Sequence, residues 1–253
     1  TRIRRSETSQ MSVCITTDGT TMMGSSRTAT TLNVIQRHDT NDQKPYWVRQ
    51  YMNGIAHQRQ ILNRRNLKAS VDVILGEKGY DTNKRPQIVQ CLKGALHQGQ
   101  EEVLTRFETS GSGPDVFAGN AFLTDQLVRV IFEIATERVY PTANKTTSEQ
   151  LSVVAIGGYG RGQLAPHSDI DLMFLLPYKL TPHSEQVVEY TLYSLWDLGL
   201  KVGHATRSIE ETIRLAREDL TTRTSLLDAR WLWGNQALFR EFQARFYQEL
   251  VVG

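Results

Sequence analysis

Cysteine is nearly missing from this chain, with Cys14 and Cys91 alone among 253 residues. Two thiols so far apart form neither a disulfide framework nor a metal-ligand pair, and they suit a reducing compartment, so a cytoplasmic location is expected. Long apolar runs are missing as well. No stretch approaches the roughly 18 residues that cross a bilayer, and the amino-terminal segment lacks the apolar core of a secretory signal. No membrane partner is expected. An excess of one charge is missing too, since 29 Lys and Arg stand against 27 Asp and Glu, a net charge of +2. A nucleic-acid partner calls for a strong, clustered basic surface, so none is expected. What is left, with 40% hydrophobic and 22% charged residues, is the make-up of an ordinary globular protein. The chain starts at Thr1 and stops at "QELVVG", which reads as a fragment of a longer polypeptide.

Residues 1–45 are rich in Ser, Thr and Arg without apolar periodicity, and cannot bury enough surface to offset their ordering entropy; they are expected to be disordered. Residues 46–116 read as a helical segment: a basic amphipathic helix over 46–70, then a second helix from Pro86 to Phe107. "TSGSGPD" is a turn, and Leu123, Leu127, Ile131 and Ile134 give a third helix over Val116–Val139.

From residue 151 the period changes. "LSVVAI" and "DIDLMFLL" read as strands. In the second, Ile170, Leu172, Phe174 and Leu176 share an apolar face, and Asp169 and Asp171 share the other. Thr181 caps a helix that carries Pro182 at its first position and stops at Gly199. "LKVGHATRS" follows as a third strand, and helices are predicted over 209–218 and 220–250. Trp196, Trp231 and Trp233 are read as core residues rather than platforms for a base.

The stretch "AIGGYGRGQLAPHSDIDLMFLL" holds the candidate site. Gly157 and Gly158 can take positive φ and leave their N–H groups open to a phosphate. Arg161, inside the same turn, is placed to meet it. Asp169 and Asp171, about 7 Å apart at Cα, can share Mg²⁺, a hard cation that takes a few carboxylates together with substrate phosphates. The cation reconciles an anion-binding turn with two acids. Two other phosphate signatures fail: the dinucleotide fingerprint meets Gln163 where it needs glycine, and no Gly-Lys-Ser/Thr tripeptide occurs.

A Gly-Gly pair, ten intervening residues ending in Ser168, and then Asp-x-Asp resembles the nucleotidyltransferase superfamily typified by DNA polymerase β. "GGYGRGQLAPHSDIDLMFL" and "LWDLGLKVGHATRS" resemble, more narrowly, the amino-terminal region of bacterial [protein-PII] uridylyltransferase/uridylyl-removing enzymes. The likeness is strong over 117–247, weaker over 46–116, and leaves out 1–45. It implies an α+β fold, with a small mixed sheet, flanking helices and a preceding helical segment, and a nucleotidyltransferase domain over 117–253. It also implies transfer of UMP from UTP to a tyrosine hydroxyl of the signalling protein PII. Gly157, Gly158, Ser168 and Arg161 would bind nucleotide, and Asp169 and Asp171 would be catalytic and hold Mg²⁺. The family's HD phosphohydrolase and ACT parts do not occur in these residues, so transferase chemistry alone is expected. A third carboxylate, usual in the superfamily, is not evident. Asp228 is one candidate, against a helix-end residue paired with Arg230, and His204 is a weaker one. An adenylyltransferase-like enzyme and a non-catalytic nucleotide-binding module remain alternatives.

Overall fold

Apolar spacing alone would carry one helix through 46–70, and Asn63 interrupts it. The computed structural model describes residues 55–252 apart from 78, 143–145, 147 and 148, all within the unit Asn41–Gly253. The expected disorder of 1–45 and the beginning of the 46–70 helix lie outside the described residues. Within them, α1 (Gln58–Ile61) ends at Leu62, whose backbone is extended at φ −157° and ψ 126°. Then α2 (Arg64–Leu75) starts afresh, with the Asn63 side chain accepting from the Asn66 N–H. A side-chain amide that caps the next turn favours non-helical backbone at its own position.

Next, α3 (Arg85–Ser110) carries Pro86 in its first turn and stops at Gly111, φ 65°. After a Ser112 cap comes α4 (Gly113–Ile134), continued by a π-helical stretch, Ala135–Val139. The second half of α4 is buried almost all round, Asp125 included. A helix buried on every side is the spine of its domain.

Four strands make one sheet: β1 (Ser152–Ala155), β2 (Ile170–Leu176), β3 (Val202–Ser208) and β4 (Arg230–Gly234), in the order β3-β2-β1-β4. The central β1 runs antiparallel to both neighbours, whereas β2 and β3 are parallel. A single helical turn, α5 (Gly157–Gly160), follows β1. Between the parallel strands lies α6 (Pro182–Asp197), opened by a capping box in which Thr181 and Ser184 serve each other's backbone N–H groups.

The helix expected over 220–250 is instead α8 (Leu220–Leu227), strand β4 and α9 (Gln236–Phe246), with α7 (Ile209–Glu218) before them. Gly234 at φ 89° breaks the segment, and Asn235 caps α9 through the N–H groups of Ala237 and Leu238. The aromatic run Trp231-Leu232-Trp233 favours the pleated strand between them.

Both faces of the sheet are covered. Ile170, Leu172, Phe174 and Leu176 pack with Leu127 and Ile131 of α4 and Leu195 of α6. On the reverse, Val154, Met173 and Leu175 pack with Ile213 of α7 and Phe239 and Phe242 of α9. Each fully buried side chain of this kind contributes roughly 1.5–3 kcal/mol. Asp171 at the start of β2 and Gly203 and His204 at the start of β3 are left exposed at one end of the sheet. Trp231 and Trp233 pack against the core as expected, but Trp196 does not: it is 43% exposed, with the His204 ring 6.2 Å away. It follows buried Leu195 and so points about 100° away from it around α6.

Candidate active site

Strand β1 delivers the chain to Ile156, whose N–H donates to the Asp171 carbonyl (3.1 Å). The backbone then turns sharply at Gly157, φ 59°, into α5. Three side chains fix that turn from behind. Buried Tyr159 donates its hydroxyl to Asp125 Oδ1 (2.7 Å). Arg230 reaches from β4 to the same carboxylate, Nη1 to Oδ2 at 2.6 Å. Its Nε and Nη2 donate to the carbonyls of Gly160 and Tyr159, each at 3.1 Å. At Gly160 a β-carbon would run into the Asp228 carbonyl, so the turn also packs closely on the end of α8. Neither Asp125 nor Tyr159 stands out in the sequence; Asp125 looks like the polar face of an amphipathic helix.

The parallel register sets Asp171 opposite Gly203. A β-carbon on Gly203 would lie 2.5 Å from Asp171 Oδ1, and one on Gly157 would lie 3.2 Å from Oδ2. The carboxylate therefore rests between two glycines from different strand ends. A β-carbon on Gly158 would stand 3.4 Å from an Arg161 Nη, so the turn holds Arg161 beside Gly158 and Asp171 beside Gly157. Ser168 and Asp169 are exposed on the loop that enters β2, next to Asp171. Desolvation, and after it the charge of Asp169, push the Asp171 carboxyl above the ordinary carboxylate range. Two acids so placed favour a shared cation.

Asp228 pairs with Arg161, Nη1 to Oδ2 at 2.8 Å, and not with Arg230, whose acid partner is Asp125. The two charges meet at the turn because α8 ends beside it. Among the described residues no group of three or more His, Cys, Asp and Glu is arranged to hold a metal. Asp169 and Asp171 are the hard oxygen donors this site offers, a set suited to Mg²⁺ completed by phosphate and water oxygens.

From Asp171 a cleft of about 190 Å³ runs along β3 beneath α8. Gly203, His204, Arg207, Thr222 and Ser225 line it with Asp171. The hydroxyls of Thr222 and Ser225 escape sequence reading, although their i, i+3 spacing on α8 is the signal that puts them on one face.

A four-stranded mixed sheet between helices, with a glycine turn ending one strand and paired aspartates opening the next, is consistent with a nucleotidyltransferase core. No protein-family profile matches the chain. Over 200 residues, 79% of its length, the chain is 50% identical to a bifunctional uridylyltransferase/uridylyl-removing enzyme of Rhodospirillum rubrum. It is 49% identical to the one of Azospirillum brasilense and 48% to that of Novosphingobium aromaticivorans, over 200 residues each. The chain spans about a fifth of these relatives' length (21–22%) and is similar to an amino-terminal region of them. No helix among the described residues is long and apolar enough to cross a membrane.

Proposed function

We propose that this chain carries Mg²⁺-dependent uridylyl transfer: UMP passes from UTP to a tyrosine hydroxyl of PII, and pyrophosphate leaves. The observation that carries the reading is the Asp171 carboxylate cradled by Gly157 and Gly203 beside the glycine turn. The likeness to uridylyltransferases over 200 residues supports it.

The backbone N–H groups of the Gly157–Gly158 turn cradle the triphosphate, and the missing β-carbons let it approach the main chain. Ser168 donates its hydroxyl to a phosphate oxygen. Arg161, with Asp228 as counter-ion, presents its guanidinium at the same turn. Asp169 and Asp171 would hold Mg²⁺, which when bound would supply charge neutralisation for the departing pyrophosphate. The tyrosine oxygen attacks the α-phosphorus in line as its proton passes to solvent and the bond to pyrophosphate breaks, and most of the acceleration comes from positioning and charge neutralisation. The test is to mix the protein with Mg²⁺, UTP and PII, with ATP in a parallel tube. Pyrophosphate release with UTP and a uridylyl mass increment on a PII tyrosine are expected; release with ATP alone would transfer the site to adenylyl chemistry.

The glycine cradle gives a sharper expectation. Gly203→Ala forces the Asp171 carboxylate aside, because the new β-carbon falls 2.5 Å from Oδ1. A displacement of about 1 Å in a reacting geometry costs about a hundredfold in rate. Transfer by the Ala variant should fall by about that factor. Its melting temperature should hold, since the atom that moves is the free end of a side chain and glycine is a weak strand residue.

A further inference from the structure

The cleft leading away from Asp171 has a polar far end that the phosphate chemistry does not use. Arg207 lies four residues beyond Gly203 on β3, on the same face, about 13 Å along the strand. Arg207 lines the cleft and has no hydrogen-bond or ion-pair partner among the described residues. Arg207 is part-buried, and its guanidinium donors are free to meet a ligand's acceptors. Opposite stand the α8 hydroxyls. Thr222 spends its proton on Asp219 Oδ2 (2.6 Å) and Ser225 on the Thr222 carbonyl (2.8 Å), so both offer lone pairs to the cleft. The remaining walls are Ile156, Leu172, Met173, Ala205 and Leu226, with His204 beside Gly203.

We infer that Arg207, Thr222 and Ser225 form the pocket that selects the nucleobase, with Arg207 donating to the uracil O4 carbonyl and the hydroxyl oxygens accepting from the ring N3–H. The inference rests on the nucleotidyltransferase reading above. With the triphosphate on the glycine side, the α-phosphate falls at Asp171 and the nucleoside extends into the cleft. A base carries its polar edge at the end remote from phosphate, which is where the polar side chains are. An acceptor tyrosine would enter hydroxyl first and leave that end unmatched. Uracil shows a carbonyl acceptor beside an N–H donor. Cytosine places an amino group where Arg207 needs an acceptor and a bare nitrogen where the hydroxyls need a donor.

The experiment compares equilibrium binding of UTP, CTP and inorganic tripolyphosphate, with Mg²⁺, to the wild-type chain and to Arg207→Gln and Arg207→Lys, with circular dichroism confirming the fold. UTP should bind the wild type about tenfold or more tightly than CTP. Arg207→Gln should bring the two within about twofold of each other and leave tripolyphosphate unchanged, and Arg207→Lys should restore part of the preference. Equal losses for UTP, CTP and tripolyphosphate would make Arg207 a phosphate ligand and overturn the inference, as would unchanged binding of all three. Failure of the wild type to bind UTP or tripolyphosphate would instead remove the nucleotidyltransferase reading itself.

Discussion

Asp171→Asn should lower uridylyl transfer by about a thousandfold or more while the metal-free protein melts at or above the wild-type temperature. The activity half follows from charge. On the proposed reading an amide in place of the carboxylate would weaken the Mg²⁺ site, and a metal there would contribute several kcal/mol of transition-state stabilisation, where about 4 kcal/mol is a thousandfold. The stability half follows from the direction of the Asp171 shift, upward through burial first and then through Asp169. A carboxyl raised on folding contributes its stability in full below the ordinary carboxylate pKa and loses it as pH climbs through the raised value. At neutral pH, then, the ionised group works against the metal-free fold, and the amide relieves it. Melting curves from about pH 4 to about pH 8 should show the wild type losing stability relative to the Asn variant as pH rises. Added Mg²⁺ and UTP should raise the wild-type melting temperature more than the variant's. Robust turnover by Asp171→Asn would sink the metal assignment.

That carboxylate pair was legible in the sequence because the signal is local. A period of two puts Asp169 and Asp171 on one face and four apolar residues on the other, and the sheet buries those apolar residues as that alternation requires. Glycines ending one strand directly before the next announce the turn for the same reason. What the sequence hid was set by partners far along the chain. Asp125 meets Arg230 across 105 positions, and no window of residues reports such a contact. Proximity in sequence offers Arg230 as one alternative partner for Asp228, yet the fold gives Asp228 to Arg161. Strand β4 was concealed within a helical stretch because Leu226, Leu238 and Phe242 continue an apolar helical period on either side of it. Its role depends on pairing with β1, which only the assembled sheet supplies. The roof of the cleft was concealed likewise: Thr222 and Ser225 gain their meaning from lying across from β3.

Loss of Arg230 should be the most destabilising single change near the site. Asp125 is fully buried and Arg230 is 18% exposed, so removing the guanidinium takes away the charge that balances a buried carboxylate. Breaking a buried pair by deleting one member costs about 3–5 kcal/mol, a large share of the roughly 5–15 kcal/mol that holds a domain together. Arg230→Met should therefore lower the melting temperature by about 10 °C. Tyr159→Phe, which removes one hydroxyl donor and leaves the ion pair, should cost about 1–2 kcal/mol. Combining Asp125→Leu with Arg230→Met removes both charges, and most of the lost stability should return. Transfer should not return with it. Arg230 also donates to the carbonyls of Tyr159 and Gly160, and no apolar pair can replace those bonds to the turn. Thermal melts and pyrophosphate release measured on the same three variants separate the two roles. A double variant that recovers both stability and turnover would show that the turn holds its shape without Arg230, and one that recovers neither would show that the ion pair is not the source of the loss.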